Sequence, residues 1–179
     1  MAFGPLLDKS TVRKNFKTVP YYNPGIVVRK GQGEVSFTLP DNLTEFALRA
    51  IATSGFDKFG TGKSVVALRL PVVVQESLPR FVRPGDGIKA GGIARVVEGE
   101  GGPARSELEL GGGLTIKDKG SAEAANLTLD KVLPAKLLYP LVAPLGLAKT
   151  QDSTVSVTLG VQRLADGAKD AFLLELPVR

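Results

Sequence analysis

The chain has 179 residues, enough for one large domain or two small ones, and its 43% apolar content supports a packed core and argues against global disorder. It contains no histidine, cysteine or tryptophan, which removes the imidazole base, the Ser-His and Cys-His pairs and the usual zinc ligands. The formal net charge of +5 is scattered, with Glu98, Glu100, Glu107 and Glu109 among the basic residues, so it describes a solvated, mildly basic surface and not a nucleic-acid face.

Composition leaves enzymes that use only carboxylates, Lys, Ser or Thr formally open. No constellation supports one, and no catalytic, cofactor-binding or metal-binding residue is nominated. The expectation is a non-enzyme without a cofactor. The 21 glycines and 12 prolines disfavour a helical protein and suit short strands punctuated by turns.

In chain order, Met1–Lys9 does not read as a signal peptide, because Pro5 and Asp8 interrupt any apolar run. Tyr21-Tyr22, between Pro20 and Pro24, offers a ligand platform, although aromatics in an all-β chain more often pack internally. Val35, Phe37 and Leu39 share one face of an alternating segment, predicting a strand over Glu34–Leu39. Pro40-Asp41-Asn42 supplies turn chemistry. Phe46, Leu48, Ala50 and Ala52 predict a second strand, stopped by Ser54-Gly55.

The stretch Asp57-Lys58-Phe59-Gly60-Thr61-Gly62-Lys63-Ser64 ends like a phosphate-binding loop. Asp57 stands where the first glycine should be, and Val65-Val66-Ala67-Leu68 continues as a strand where a helix is required. A Gly-rich hairpin turn at Gly60-Thr61-Gly62 is the expected reading. Pro71 then separates the β-branched runs Val65–Leu70 and Val72–Gln75, marking a strand edge or a junction.

Further on, Gly99–Gly102 and Gly111-Gly112-Gly113 read as connections. Glu107 and Glu109 fall on one side of a strand with Leu108 and Leu110 on the other, the pattern of a solvated face and not of an acid/base pair. Ser121–Ala125 is the only plausible helical turn. Asn42-Leu43-Thr44 and Asn126-Leu127-Thr128 match the glycosylation triplet, which arises often by chance. The apolar stretch Leu133–Leu147 is cut by Pro134, Pro140 and Pro144 and carries Lys136, so it is no membrane span. Val155, Val157, Leu159 and Val161 point inward from one strand, with Thr154, Ser156, Thr158 and Gln162 outward. Phe172, Leu174, Leu176 and Val178 line the next, across an Asp166-Gly167 turn.

These elements predict an all-β chain, an antiparallel β-sandwich of fibronectin- or immunoglobulin-like type. A boundary near Pro71 gives roughly four strands before it and about seven after it. The first part, 1–70, looks incomplete, since a single sheet leaves its apolar face in water. Residues 71–179 match a whole sandwich domain.

Several blocks resemble the alpha-2-macroglobulin family, particularly its bacterial members. They are Val12-Arg13-Lys14-Asn15-Phe16 with Tyr21-Tyr22-Asn23-Pro24; Val35 to Phe46 with Arg49-Ala50-Ile51-Ala52; Phe59-Gly60-Thr61-Gly62, Pro71–Gln75 and Leu78-Pro79-Arg80-Phe81-Val82-Arg83-Pro84-Gly85-Asp86; and the ending Asp170-Ala171-Phe172 to Leu176-Pro177-Val178-Arg179. The similarity is loose over 118–150. It implies the later part of one macroglobulin domain in 1–70 and a complete one in 71–179, an internal fragment of a longer protein.

The resemblance further implies a structural segment of a broad-spectrum protease trap in host defence, relaying conformational change after bait cleavage. The reactive thioester of such traps needs Cys-x-Glu-Gln, which a chain without cysteine cannot carry. The implied partners are neighbouring domains of the parent and, through it, target proteases, with neither nucleic acid nor membrane contact by this segment. The implied location is the periplasm, cell envelope or exterior. Expressed alone, the incomplete part should self-associate or be disordered before about residue 30. A free-standing sandwich module for binding or adhesion is the alternative; its sign would be exposed aromatics on one sheet face, and aromatics make up only 6% of the chain.

Overall fold

The computed structural model describes residues 6–8, 12–146 and 153–179. Most of Met1–Lys9 and the end of Leu133–Leu147 lie outside the described residues. Among those described there is no helix, and the extended strands pair antiparallel, with isolated parallel bridges at Arg13–Phe172 and Val82–Val178. The all-β expectation holds.

The chain divides into two compact units, residues 15–69 and residues 1–14 with 70–179. The smaller contains one hairpin, β1 (Glu45–Ser54) and β2 (Lys58–Ala67), turned at Gly55 with a positive φ of 64°. Few of its side chains are buried. Phe46 is 9% exposed, whereas Ile51 is 78% exposed and Phe59 83%.

The larger unit holds β3 (Val72–Ser77), β4 (Gly87–Val96), β5 (Gly102–Gly111), β6 (Thr115–Ile116), β7 (Ala122–Leu129), β8 (Ala135–Val142), β9 (Thr154–Arg163) and β10 (Lys169–Pro177). They form two four-stranded sheets, ordered β10-β9-β5-β7 and β3-β4-β8-β6. Val155, Val157, Leu159, Val161, Phe172 and Leu108 from the first sheet, and Val72, Val74, Ala90, Ala94 and Leu141 from the second, are all at most 1% exposed. Gly92 lets the facing sheet pack closely. A Cβ there would stand 2.7 Å from Cδ2 of Leu159 in the facing sheet and 2.9 Å from Cγ2 of Val74.

Several sequence expectations are corrected. Among the described residues two strands precede Pro71, not four, and eight follow it. Glu34–Leu39 is not a strand: alternation defines two faces, but no partner strand supplies a ladder, and Phe37 instead stacks on Tyr21. The turn of the first hairpin lies at Gly55-Phe56-Asp57, and Gly60-Thr61-Gly62 sits inside β2 opposite Ala52, Ile51 and Ala50. Ser121–Ala125 enters β7 and is not a helical turn. β8 runs through Pro140, whose carbonyl accepts from the Lys117 N–H at 2.7 Å. The missing proline N–H therefore faces the two-residue edge strand β6, where little pairing is lost. Gln162 faces outward as expected, yet it is buried, accepting from Arg105 Nε at 2.9 Å.

Candidate functional site

The residues that the sequence singles out do not converge. Gly62, Lys63 and Ser64 pair with Ala50, Arg49 and Leu48 across the hairpin, so their backbone belongs to a ladder and forms no phosphate cradle. Glu107 and Glu109 lie on the outward face of β5, over the buried Leu108 and Leu110, and Glu107 pairs with Arg105 at 3.7 Å. Tyr21 stacks on Phe37 with centroids 4.9 Å apart, while Tyr22 is 81% exposed. Asp41 and Asn42 accept from the N–H groups of Asn15 and Lys17, both at 2.8 Å, and so tie distant backbone where a local turn role was expected. Asn126 is exposed on β7. No group of side chains suited to a metal occurs among the described residues, and no helix there is long and apolar enough to cross a membrane.

The best-built polar site was not foreseen. Arg13 lies against the edge of β10, its N–H donating to the Ala171 carbonyl at 2.8 Å and its carbonyl accepting from Leu173 at 2.9 Å. This is a one-residue parallel strand. Its guanidinium reaches inward as a fork on Asp170, Nε to Oδ1 at 2.7 Å and Nη2 to Oδ2 at 2.8 Å. The Asp170 side chain is 0% exposed and that of Arg13 12%. Nη2 also donates to the Val74 carbonyl, and the Val74 N–H donates to Asp170 Oδ2, each at 2.8 Å. Three separate pieces of chain are thereby joined. Just upstream, Leu6 is 1% exposed, and a Cβ on Gly160 would stand 3.0 Å from its Cγ and 2.8 Å from Cδ2 of Leu7. The segment before Asn15 is thus part of the larger unit, held by apolar cover and by a desolvated ion pair. Chemically the site can fasten and release chain; nothing in it can activate a nucleophile.

A second junction closes the β9–β10 turn. Arg163, whose side chain is 5% exposed, donates Nε to Asp166 Oδ1 at 3.0 Å and Nη2 to Oδ2 at 2.6 Å. Its Nη1 donates to the carbonyls of Glu98 and Glu100. The Arg163 hydrogen bonds, then the Ala168 N–H, lower the Asp166 pKa to about 2. A depressed carboxylate pKa contributes stability that is complete above the unfolded value of roughly 3.9 and is lost as pH falls through the folded value. An NMR titration of the Asp166 carboxyl carbon should therefore show a midpoint near 2; a midpoint at the ordinary carboxylate value would mean that the fork is open in solution.

Comparison with known proteins fits the blocks noted in the sequence. Residues 20–95 match the model of the alpha-2-macroglobulin family. An alpha-2-macroglobulin homolog of Nostoc sp. is 29% identical over 169 residues, covering 93% of this chain and 8% of that protein. The crystal structure of trypsin-activated alpha-2-macroglobulin from Escherichia coli superposes with a TM-score of 0.67 at 19% identity, over 90% of this chain and 11% of that one. Escherichia coli alpha-2-macroglobulin activated by porcine elastase gives 0.65 at 19% identity, over 93% and 15%. The chain is accordingly related to the alpha-2-macroglobulin family, with the fold of its macroglobulin domains and a small part of the length of its members.

Proposed function

We propose that this chain is a non-catalytic structural segment of a protease trap of the alpha-2-macroglobulin kind, passing conformational change between neighbouring domains after the bait is cut. The relation to that family carries the reading. The fork of Arg13 supports the relay, because a buried ion pair has two discrete states, made and broken, and suits a switching contact better than a graded one. In this reading residues 71–179, with the segment before Asn15 docked on them, form a complete macroglobulin domain, and the rest of 1–70 is the later part of another, which further strands of the parent complete. The exposed Ile51, Phe59 and Val65 on one face of the hairpin support that incompleteness. The parent would act in the periplasm, the cell envelope or outside the cell.

The test uses the full-length parent mixed with trypsin. A caged protease is expected to keep hydrolysing a small chromogenic peptide while losing activity on a large protein substrate. Undiminished hydrolysis of both would overturn the trap. For the relay, Arg13→Met in the parent should slow or abolish the change in hydrodynamic radius that follows cleavage; an unchanged transition would refute it.

A further inference from the structure

The outward face of the β3-β4-β8-β6 sheet is chemically one-sided. Its outward positions carry Lys89, Arg95 and Lys136, with Lys117 just beyond β6, and no carboxylate. All four cations are exposed, and none makes an ion pair among the described residues. The outward face of the other sheet differs: there Glu107, Glu109 and Glu175 offset Arg105 and Lys169.

Between Lys89 and Lys117 lies an open hollow of about 630 Å³, lined with apolar surface from Leu138, Pro140 and Val142. The hollow is open at Gly87, where no side chain stands and a Cβ would meet nothing within 4 Å. Four like charges gathered on one sheet face repel one another, and a stably folded unit tolerates this most easily where an opposite charge covers them.

We infer that this face docks an acidic protein segment, one that sets an aliphatic side chain into the hollow and places carboxylates against Lys89 and Lys117. Charge complementarity specifies the sign of the partner and the concavity specifies its shape. A membrane is the poorer match. Insertion needs apolar side chains that project, and Ile93, Leu138 and Val142 are each half-buried. A nucleic acid would want stacking aromatics, and no outward position of this sheet carries one. The inference is independent of the protease-trap reading.

The test titrates the isotopically labelled full chain with a synthetic peptide that repeats Glu-Leu-Glu, and with its Lys-Leu-Lys counterpart. The acidic peptide is expected to shift the amides of Lys89, Gly91, Lys117 and Leu138, and the basic one to leave them in place. Lys89→Glu with Lys117→Glu should weaken binding by about tenfold or more, and ~0.5 M salt should do the same by screening. Both lysines are exposed, and Lys89→Gln with Lys117→Gln provides a milder pair with an intermediate loss. No shifts at millimolar peptide, equal binding by the charge-reversed variant, or tighter binding to phosphatidylglycerol vesicles than to the peptide would each overturn the inference.

Discussion

Arg13→Met is expected to destabilise the larger unit by about 3–5 kcal/mol, the range for breaking one side of a buried ion pair. The loss comes less from a missing attraction than from what is left behind: an Asp170 carboxylate with 0% side-chain exposure, holding only the Val74 N–H. Desolvation of that charge is no longer offset. Asp170→Asn alone should cost less, since the amide oxygen still accepts from Val74 and the Arg13 side chain retains 12% exposure. Combining the two should recover much of the loss, because a neutral pair in the same space removes the buried charge while keeping the Val74 N–H satisfied. The readout is the exchange free energy of β9 amides in a double-mutant cycle. Single variants within about 0.5 kcal/mol of the parent sequence would show that the fork contributes no more than a surface pair.

The second large effect concerns the hairpin of residues 45–67. Its amides are expected to exchange roughly a hundredfold or more faster than those of β9, since a two-stranded ribbon with little buried area opens locally. β9 has a paired strand on each side and a run of five buried residues from Leu159 to Arg163. In β1 only Phe46 is buried, and in β2 no residue is. The measurement is native-state exchange on the full chain at several concentrations. Protection in β1 and β2 equal to that in β9, in a monomer by light scattering, would sink the reading of this unit as incomplete.

The sandwich was legible because period-two alternation over Thr154–Gln162 and Phe172–Val178 decides both strand type and buried face. It succeeded where a turn signal such as Asp166-Gly167 fixed the neighbour as well. It failed at Val35, Phe37 and Leu39, where the same pattern has no strand to pair with. It failed also at Gly60-Thr61-Gly62, where glycine suggested a turn although the ladder with Ala50, Ile51 and Ala52 holds these residues in a strand. The Arg13 fork was illegible for another reason. Arg13 and Asp170 each stood inside a block that resembles the family, yet they are 157 positions apart, and no local pattern announces a pairing at that range. The basic sheet face was hidden likewise, since Lys89, Lys117 and Lys136 look scattered until β4, β6 and β8 align them.

That same distance has a consequence for how the molecule is made. Within this stretch Arg13 is synthesised long before β10, the strand it lies against. The larger unit therefore cannot set its edge, or neutralise Asp170, until synthesis of this stretch is nearly finished, and closing so long a loop carries a corresponding entropic delay. Until then Leu6 and Arg13 stay tethered but undocked, and the contact that fastens them to β9 and β10 forms only after the sequence between has been made.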